Sequence, residues 1–223
     1  MKVTVYGVAS PDEARRLEAA GADVIGVFLG DRPGGRVLDE ETAVRIRQAV
    51  SNAEICVEHR SSTPDPALAS RLGARWIQVP WNQDAPQSWR EQLAVEGVGW
   101  VLGRVPADED DDPEWVVSRW TGYDAPTPDW VYVEVFPDLT DPWPTLQDSS
   151  PDEVDAADLD RMAAERPVVF SLPLTEEQIP QARGLFPHAY GFALTLRGRH
   201  GEVPGATTID VEEALHLLEA LRR

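Results

Sequence analysis

Short apolar runs recur along the chain, each followed by a turn and then by a stretch whose apolar residues keep helical spacing. Val3–Val8 is the first such strand. Ser10-Pro-Asp-Glu13 after it is a capping box with Pro in the first turn, so that the serine hydroxyl accepts from a free amide while Glu13 reaches back. That helix runs to about Gly21. Asp23–Leu29 is the second strand, with a helix from near Asp39. Ala53–Glu58 and Trp76–Pro80 come next; Asp65 caps the helix ending at Gly73, and Ser88-Trp-Arg-Glu91 is a further capping box. Val98–Val105 is the fifth strand. The acidic run Asp108–Asp112 behind it reads as a solvated loop whose charge favours the N-terminus of a helix around Glu114–Trp120.

Asp129–Phe136 alternates cleanly. Trp130, Tyr132 and Glu134 share one face, Val131, Val133 and Val135 the other. In a barrel the valines pack under helices and the larger, more polar set points inward, with Glu134 near the C-terminal end of its strand. Pro137–Ser149 is loop-like and long enough to cover a mouth. Ser150-Pro-Asp-Glu153 caps the sixth helix, Pro167–Leu172 is the seventh strand, and Thr175-Glu-Glu-Gln178 caps the seventh helix. Tyr190–Leu196 is the eighth strand. Asp210 opens the last helix, where Val211, Ala214, Leu215, Leu218 and Leu221 form one apolar stripe. Strands alternating with helices favour a parallel sheet, and eight units favour its closure into a (β/α)8 TIM barrel spanning 1–223 as one domain; an open doubly wound sheet is the rival.

Composition narrows the chemistry. A formal net charge of -19 disfavours phosphate-mediated nucleic-acid binding. The apolar runs are strand-sized, which gives no membrane span, and the chain opens straight into a strand, which suggests a cytoplasmic protein. Lys2 is the only lysine, at the start of the first strand, so Schiff-base and pyridoxal phosphate chemistry lack an amine at a barrel mouth. Cys56 stands alone, the four histidines lack metal-ligand spacing, and neither a G-x-x-x-x-G-K-[ST] loop nor a strand-to-helix G-x-G-x-x-G occurs. No cofactor and no metal is expected. Against so acidic a background, Arg36, Arg104 and Arg197 stand out as local positive charge for an anionic substrate.

The opening, Lys2-Val-Thr-Val-Tyr-Gly-Val-Ala-Ser-Pro-Asp-Glu-Ala14 and then Ala19-Ala-Gly-Ala-Asp-Val-Ile-Gly26, resembles that of phosphoribosylanthranilate isomerases, K-I-C-G-I-T-x-x-x-x-A followed by A-G-A-D-x-x-G. Gly35-Arg-Val-Leu-Asp-Glu-Glu-Thr-Ala43 is similar to the family's P-R-x-V-x-x-E-x-A. Gln78 falls on the Gln of V-Q-L-H-G, Asp129–Glu134 on D-x-x-L-x-D, and Thr175–Gln178 on T-P-E-N. The resemblance implies a cysteine base at the position of Tyr6, an aspartate acid at Glu134, and an arginine for the anthranilate part at Arg36. The phosphate-binding G-G-L aligns with Leu172-Pro-Leu174, where Pro173 has no amide to offer, and the following S-G turn with Thr195-Leu-Arg-Gly198. The family's His becomes Pro80.

Acid and anchor are therefore kept while base and phosphate grip are replaced. The expectation is an isomerase-like enzyme that moves protons within a small anionic metabolite, aromatic or not, by isomerisation, tautomerisation or cyclisation. Glu134 and Tyr6 would be catalytic, with Arg36, Arg104, Arg197, Gln78 and Trp81 binding substrate. Trp81, Trp130 and Trp143 are placed near mouth or loop, Arg104 on the face of Trp100 and Leu102, and either Glu58 or His59 at the mouth. Cys56 reads as a small buried residue. A non-catalytic barrel that binds a metabolite or protein, and a retained phosphoribosylanthranilate isomerase, are the alternatives; the chain would be a monomer or homodimer.

Overall fold

The computed structural model describes residues 1–30, 36–59, 65–81, 85–112, 114, 127–148, 153–198 and 208–223. Eight parallel strands form the barrel wall: β1 (Lys2–Tyr6), β2 (Val24–Leu29), β3 (Glu54–His59), β4 (Trp76–Pro80), β5 (Gly99–Ala107), β6 (Trp130–Val135), β7 (Val168–Ser171) and β8 (Gly191–Leu196). Each pairs with the next, and β8 pairs back onto β1 from Lys2↔Gly191 to Tyr6↔Thr195, so the sheet has no open edge. The open-sheet alternative is thereby set aside. Two short strands absent from the sequence reading extend the wall, Val37–Leu38 beside β2 and Thr208–Ile209 beside β8.

The helices follow their strands as the periodicity suggests. In α1 (Pro11–Ala20), the Ser10 hydroxyl accepts from the Glu13 amide at 3.2 Å, and the Glu13 carboxylate reaches back to the amide of Ala9. Gly21 ends it in the left-handed conformation, φ 115, which costs a residue without a Cβ little. Asp39 caps α2 (Glu40–Ala49) and Asp65 caps α3 (Pro66–Arg71). The helix expected to be capped by Ser88, α4 (Gln87–Glu96), instead starts behind Pro86 without a side-chain cap, which leaves Ser88 inside its first turn. Within 137–148 lies a short helix, α5 (Trp143–Leu146). Asp155 and Asp158 form the capping box of α6 (Ala156–Glu165); the box expected at Ser150 and the helix expected over 114–120 fall largely outside the described residues. A single 3-10 turn, Glu176–Gln178, leads into α7 (Ile179–Leu185), and α8 (Val211–Arg222) closes the chain. None of the described helices is long and apolar enough to cross a membrane.

Two apolar clusters result, as the alternation in β6 requires. Val131, Val133 and Val135 join the layer between barrel and helices, while Trp130 and Tyr132 point inward. The interior packs Cys56, Val101, Val169 and Ala193 around aromatic rings. Glycines make room for them: a Cβ at Gly26 would lie 2.4 Å from the Tyr6 ring, and one at Gly99 2.3 Å from that of Trp76. At the N-terminal end of the barrel Lys2 reaches Glu54 at 2.6 Å, and the Trp76 indole N–H donates to the same carboxylate at 3.1 Å.

Candidate active site

Barrel active sites gather where the strands end, on the C-terminal face. Tyr6 is the last residue of β1, Glu58 the penultimate one of β3 and Glu134 the penultimate one of β6. Inward parity is fixed by register: Glu58 is level with Gln78, Glu134 with Ser171, and Tyr6 with Thr195. Glu58, not His59, is therefore the end of β3 that faces the mouth. Glu58, Gln78, Glu134, Ser171 and Thr195 are all buried polar side chains.

Arg104 joins them by an unexpected route. Period-two alternation puts it with Trp100 and Leu102, which do pack outward under the helices. Between Leu102 and Val105, however, the register with β6 shifts, and Arg104 takes a left-handed backbone at φ 57. The bulge turns its side chain into the barrel, where Nε lies 3.4 Å from Glu58 Oε1. Burial works to lower the guanidinium pKa, but Glu58, Tyr132, Glu134 and Tyr6 around it raise it above the ordinary value.

Tyr132 connects the other half of the mouth. Its hydroxyl donates to Glu134 Oε1 and meets Thr195 Oγ1, both at a long 3.5 Å. Tyr6 stacks on it with ring centroids 5.0 Å and planes 15° apart. Burial first, and then the neighbouring Cys56, Tyr132 and Glu58, hold the Tyr6 phenol well above the ordinary tyrosine value. Tyr6 thus keeps its proton and can donate a hydrogen bond, but it is no base at neutral pH. Burial and Glu134 likewise push Tyr132 upward.

Of the remaining sequence candidates, Arg36 binds parts of its own chain. Its Nε donates to the Arg197 carbonyl at 2.7 Å, and Nη1 donates to the Gly7 carbonyl at 3.1 Å and to Glu13 at 2.9 Å. It fastens the end of β1 to α1 and to the loop after β8. The Arg197 side chain is exposed on that same rim, and among the described residues it donates to the Thr208 carbonyl at a long 3.4 Å. Trp81 is half-buried against the outer core, its amide bonded to the Gly103 carbonyl. Trp143 is buried in α5 and donates its indole N–H to the Pro173 carbonyl at 3.0 Å. Trp130 is not at the mouth: it begins β6 and packs edge-on against Trp76 deep in the barrel. The structure thus brings Tyr6, Gln78, Arg104 and Glu134 together, puts Arg36 and Arg197 on the β1–β8 rim, and adds Glu58, Tyr132, Ser171 and Thr195. Tyr132 carried a signal in the sequence, two residues before Glu134 on the same face.

A closed parallel (β/α)8 barrel with a charged, hydrogen-bonded mouth is the class of protein that this arrangement defines. No protein-family model matches the chain, and no curated protein matches its sequence. Solved structures do. Phosphoribosylanthranilate isomerase from Thermus thermophilus matches over 100% of this chain and 98% of its own, with TM-score 0.66 and 20% identity. A phosphoribosylanthranilate isomerase in complex with reduced 1-(o-carboxyphenylamino)-1-deoxyribulose 5-phosphate matches over the same shares at 0.64 and 16%. Thiamine phosphate pyrophosphorylase from Pyrococcus furiosus matches over 99% of this chain and 93% of its own at 0.60 and 14%. The chain has the fold of phosphoribosylanthranilate isomerases over its whole length. The third neighbour carries a different name on a similar barrel, so the reaction has to be argued from the site.

Proposed function

We propose that the chain is an enzyme that moves protons within a small, anionic metabolite, by isomerisation, tautomerisation or cyclisation, with Glu134 as acid or base. The observation that carries this reading is the pairing at the mouth of Glu134 with a hydroxyl donor, Tyr132, beside a partly buried guanidinium, Arg104. Strand-end carboxylates on the C-terminal face are where barrel chemistry collects, and a positioned carboxyl group contributes roughly 10²–10⁴-fold to proton transfer. Tyr6 would act as a neutral hydrogen-bond donor. The exposed Arg197 would hold the substrate's anionic end at the rim, with Arg36 fixing the backbone from which Arg197 projects.

The substrate differs from that of the isomerases whose fold this is. Pro173 removes an amide where their G-G-L offers one, and its carbonyl is occupied by Trp143. Turnover is best sought with a panel of hydroxylated aldehydes and ketones that carry a carboxylate or phosphate, with N-(5′-phosphoribosyl)anthranilate included. Glu134→Gln is expected to lower kcat/KM on the responding compound by about 10²-fold or more. An unchanged value would overturn the assignment. A second reading, a non-catalytic barrel, draws on the buried Tyr6–Tyr132 stack at the mouth; binding without turnover across the panel would favour it.

A further inference from the structure

Among the described residues, two other than glycine have a positive φ: Arg104 at 57 and Phe136 at 46. They bracket one stretch of the barrel wall. Before Arg104 the pairing of β5 with β6 runs Val101↔Trp130 and Leu102↔Val131; after it, Val105↔Val133, Pro106↔Glu134 and Ala107↔Val135. Gly103 and Arg104 therefore both stand opposite Tyr132, and the extra residue keeps Val105 and Ala107 in the outer layer. At the far end the Phe136 amide donates to the Ala107 carbonyl at 2.8 Å. Glycine suits a left-handed position best, yet here it stands one place early and an arginine takes the strain.

The fold gains little from that arginine. Its ion pair with Glu58, 3.4 Å at Nε, leaves 15% of the Arg104 side chain and 9% of the Glu58 side chain exposed, and so enclosed a pair adds little stability over neutral residues of like size. Backbone strain beneath a charge at the C-terminal mouth points to function. Opposite Tyr132 on the adjacent strand, Arg104 stands between Glu58, two strands away on β3, and the Tyr132–Glu134 pair on β6. The titratable groups around Glu134 are thus Tyr132, Arg104, Tyr6 stacked on Tyr132 and, beyond Arg104, Glu58; β7 and β8 bring the neutral hydroxyls of Ser171 and Thr195. Burial and Glu58 favour a protonated Glu134. The guanidinium and the hydrogen bond from the phenol favour the carboxylate, and they prevail because Glu58 acts across the very cation that opposes it.

We propose that Arg104 is a positioning residue that, together with Tyr132, keeps Glu134 ionised, and that Glu134 is accordingly the base of the reaction and not its acid. This deepens the proton-transfer reading above and rests on it. It also reverses the roles that the resemblance to phosphoribosylanthranilate isomerases implies, in which the residue at Glu134 is the acid; Tyr6, at the position of the base, keeps its proton. On a hydroxylated aldehyde or ketone, the Glu134 carboxylate would take the proton from the hydroxyl-bearing carbon beside the carbonyl. The C–H pair becomes a C=C bond and the carbonyl pair moves onto oxygen. The carboxyl group then returns the proton to the former carbonyl carbon, and the hydroxyl proton passes between the two oxygens, so that nothing besides the substrate is consumed.

The charge of Glu134 is read by ¹³C NMR of protein labelled at the glutamate carboxyl carbons, its signal being the one missing from Glu134→Gln. In the wild type Glu134 is expected to stay ionised from about pH 8 down to about pH 6. In Arg104→Gly, which the left-handed backbone accepts, its midpoint is expected to rise by about one pH unit or more, and in Arg104→Lys, which keeps the charge, by less than half as much. A wild-type Glu134 protonated at pH 7, a midpoint unmoved in Arg104→Gly, or no recovery in Arg104→Lys would each overturn the proposal. A merely structural Arg104 would change the melting temperature and leave the midpoint where it was. If Arg104→Gly does not fold, Tyr132→Phe takes its place, with a rise of about half a unit expected and an unmoved midpoint counting against the proposal. An ionised, Arg104-dependent Glu134 without turnover of any panel compound would leave the positioning role standing and sink the catalytic reading; turnover by a wild type whose Glu134 is protonated at pH 7 would do the reverse.

Discussion

Tyr6 lies flat against Tyr132 across the mouth, and its ring runs directly over the backbone of Gly26 on the neighbouring strand. The stack closes the top of the interior cluster and puts the Tyr132 hydroxyl within reach of Glu134. The glycine and the tyrosine therefore belong together: a Cβ at position 26 would sit 2.4 Å from Tyr6 Cδ1, where no atom fits. Gly26→Ala is expected to cost about 1–3 kcal/mol through overpacking. Tyr6→Ala opens a cavity and costs about 3–5 kcal/mol. The double variant should cost clearly less than the sum, because the alanine methyl then enters vacated space. Urea unfolding of the four proteins measures this, and strict additivity would mean that the two residues do not meet.

How far the site was legible depends on which physical rule placed each residue. The β6 face was readable because large and small side chains alternate without interruption, so Glu134 and Tyr132 follow from parity alone. Parity gives a side but not a height, which is why Trp130 was expected at the mouth and lies deep in the barrel. Arg104 reaches the interior although its expected strand face, that of Trp100 and Leu102, packs outward, because one left-handed residue inside a bulge breaks the period of two, and Gly103 is the local hint of the break. The partners of Arg36 include carbonyls 161 residues on and 29 residues back and a carboxylate 23 residues back, pairings that leave no local trace in sequence.

Removal of Arg36 separates scaffold from chemistry. Its bonds to Gly7 and Glu13 are part-buried and that to Arg197 is exposed, with 16% of the side chain exposed. Arg36→Met is expected to lower stability by about 1.5–3 kcal/mol, and Arg36→Lys to recover only part of it, since an ammonium lacks the planar fork. Denaturant midpoints check this; a loss below about 0.5 kcal/mol would mean that the staple carries no structural load.

Acid sensitivity has identifiable sources. Burial alone would raise the Glu54 carboxyl, but the Lys2 ammonium and the Trp76 indole N–H hold it below its ordinary value. Glu18 is lowered too, against burial, by the backbone amides of Ala53, Asn52 and Ser51. A carboxyl whose folded pKa is depressed adds stability that is present above the unfolded value of about 4.3 and is lost as pH falls through the folded one. Asp108, raised by burial and by Asp111, works in the opposite direction. Glu54→Gln should therefore flatten the fall in urea midpoint as pH drops from about 5 to 3, whereas an unaltered slope would remove Glu54 from the account.

Salt should stabilise the protein. With 39 acidic against 20 basic side chains, the folded surface repels itself. Screening shortens from about 10 Å at 0.1 M salt to about 3 Å at 1 M. Tm is expected to rise across that range of KCl, and a flat or falling Tm would show that the acidic residues are already compensated in pairs.

Deuterium exchange addresses the central claim most directly, because proton transfer at carbon leaves a record even when substrate and product are in balance. The panel compounds are incubated in D₂O with the wild-type protein or with Glu134→Gln and followed by ¹H NMR. The account expects loss of a carbon-bound proton adjacent to the carbonyl of at least one hydroxylated, anionic compound with the wild-type protein, and a rate lower by about 10²-fold or more with Glu134→Gln. Equal exchange by the two proteins, or exchange of no panel compound by the wild type, would contradict it.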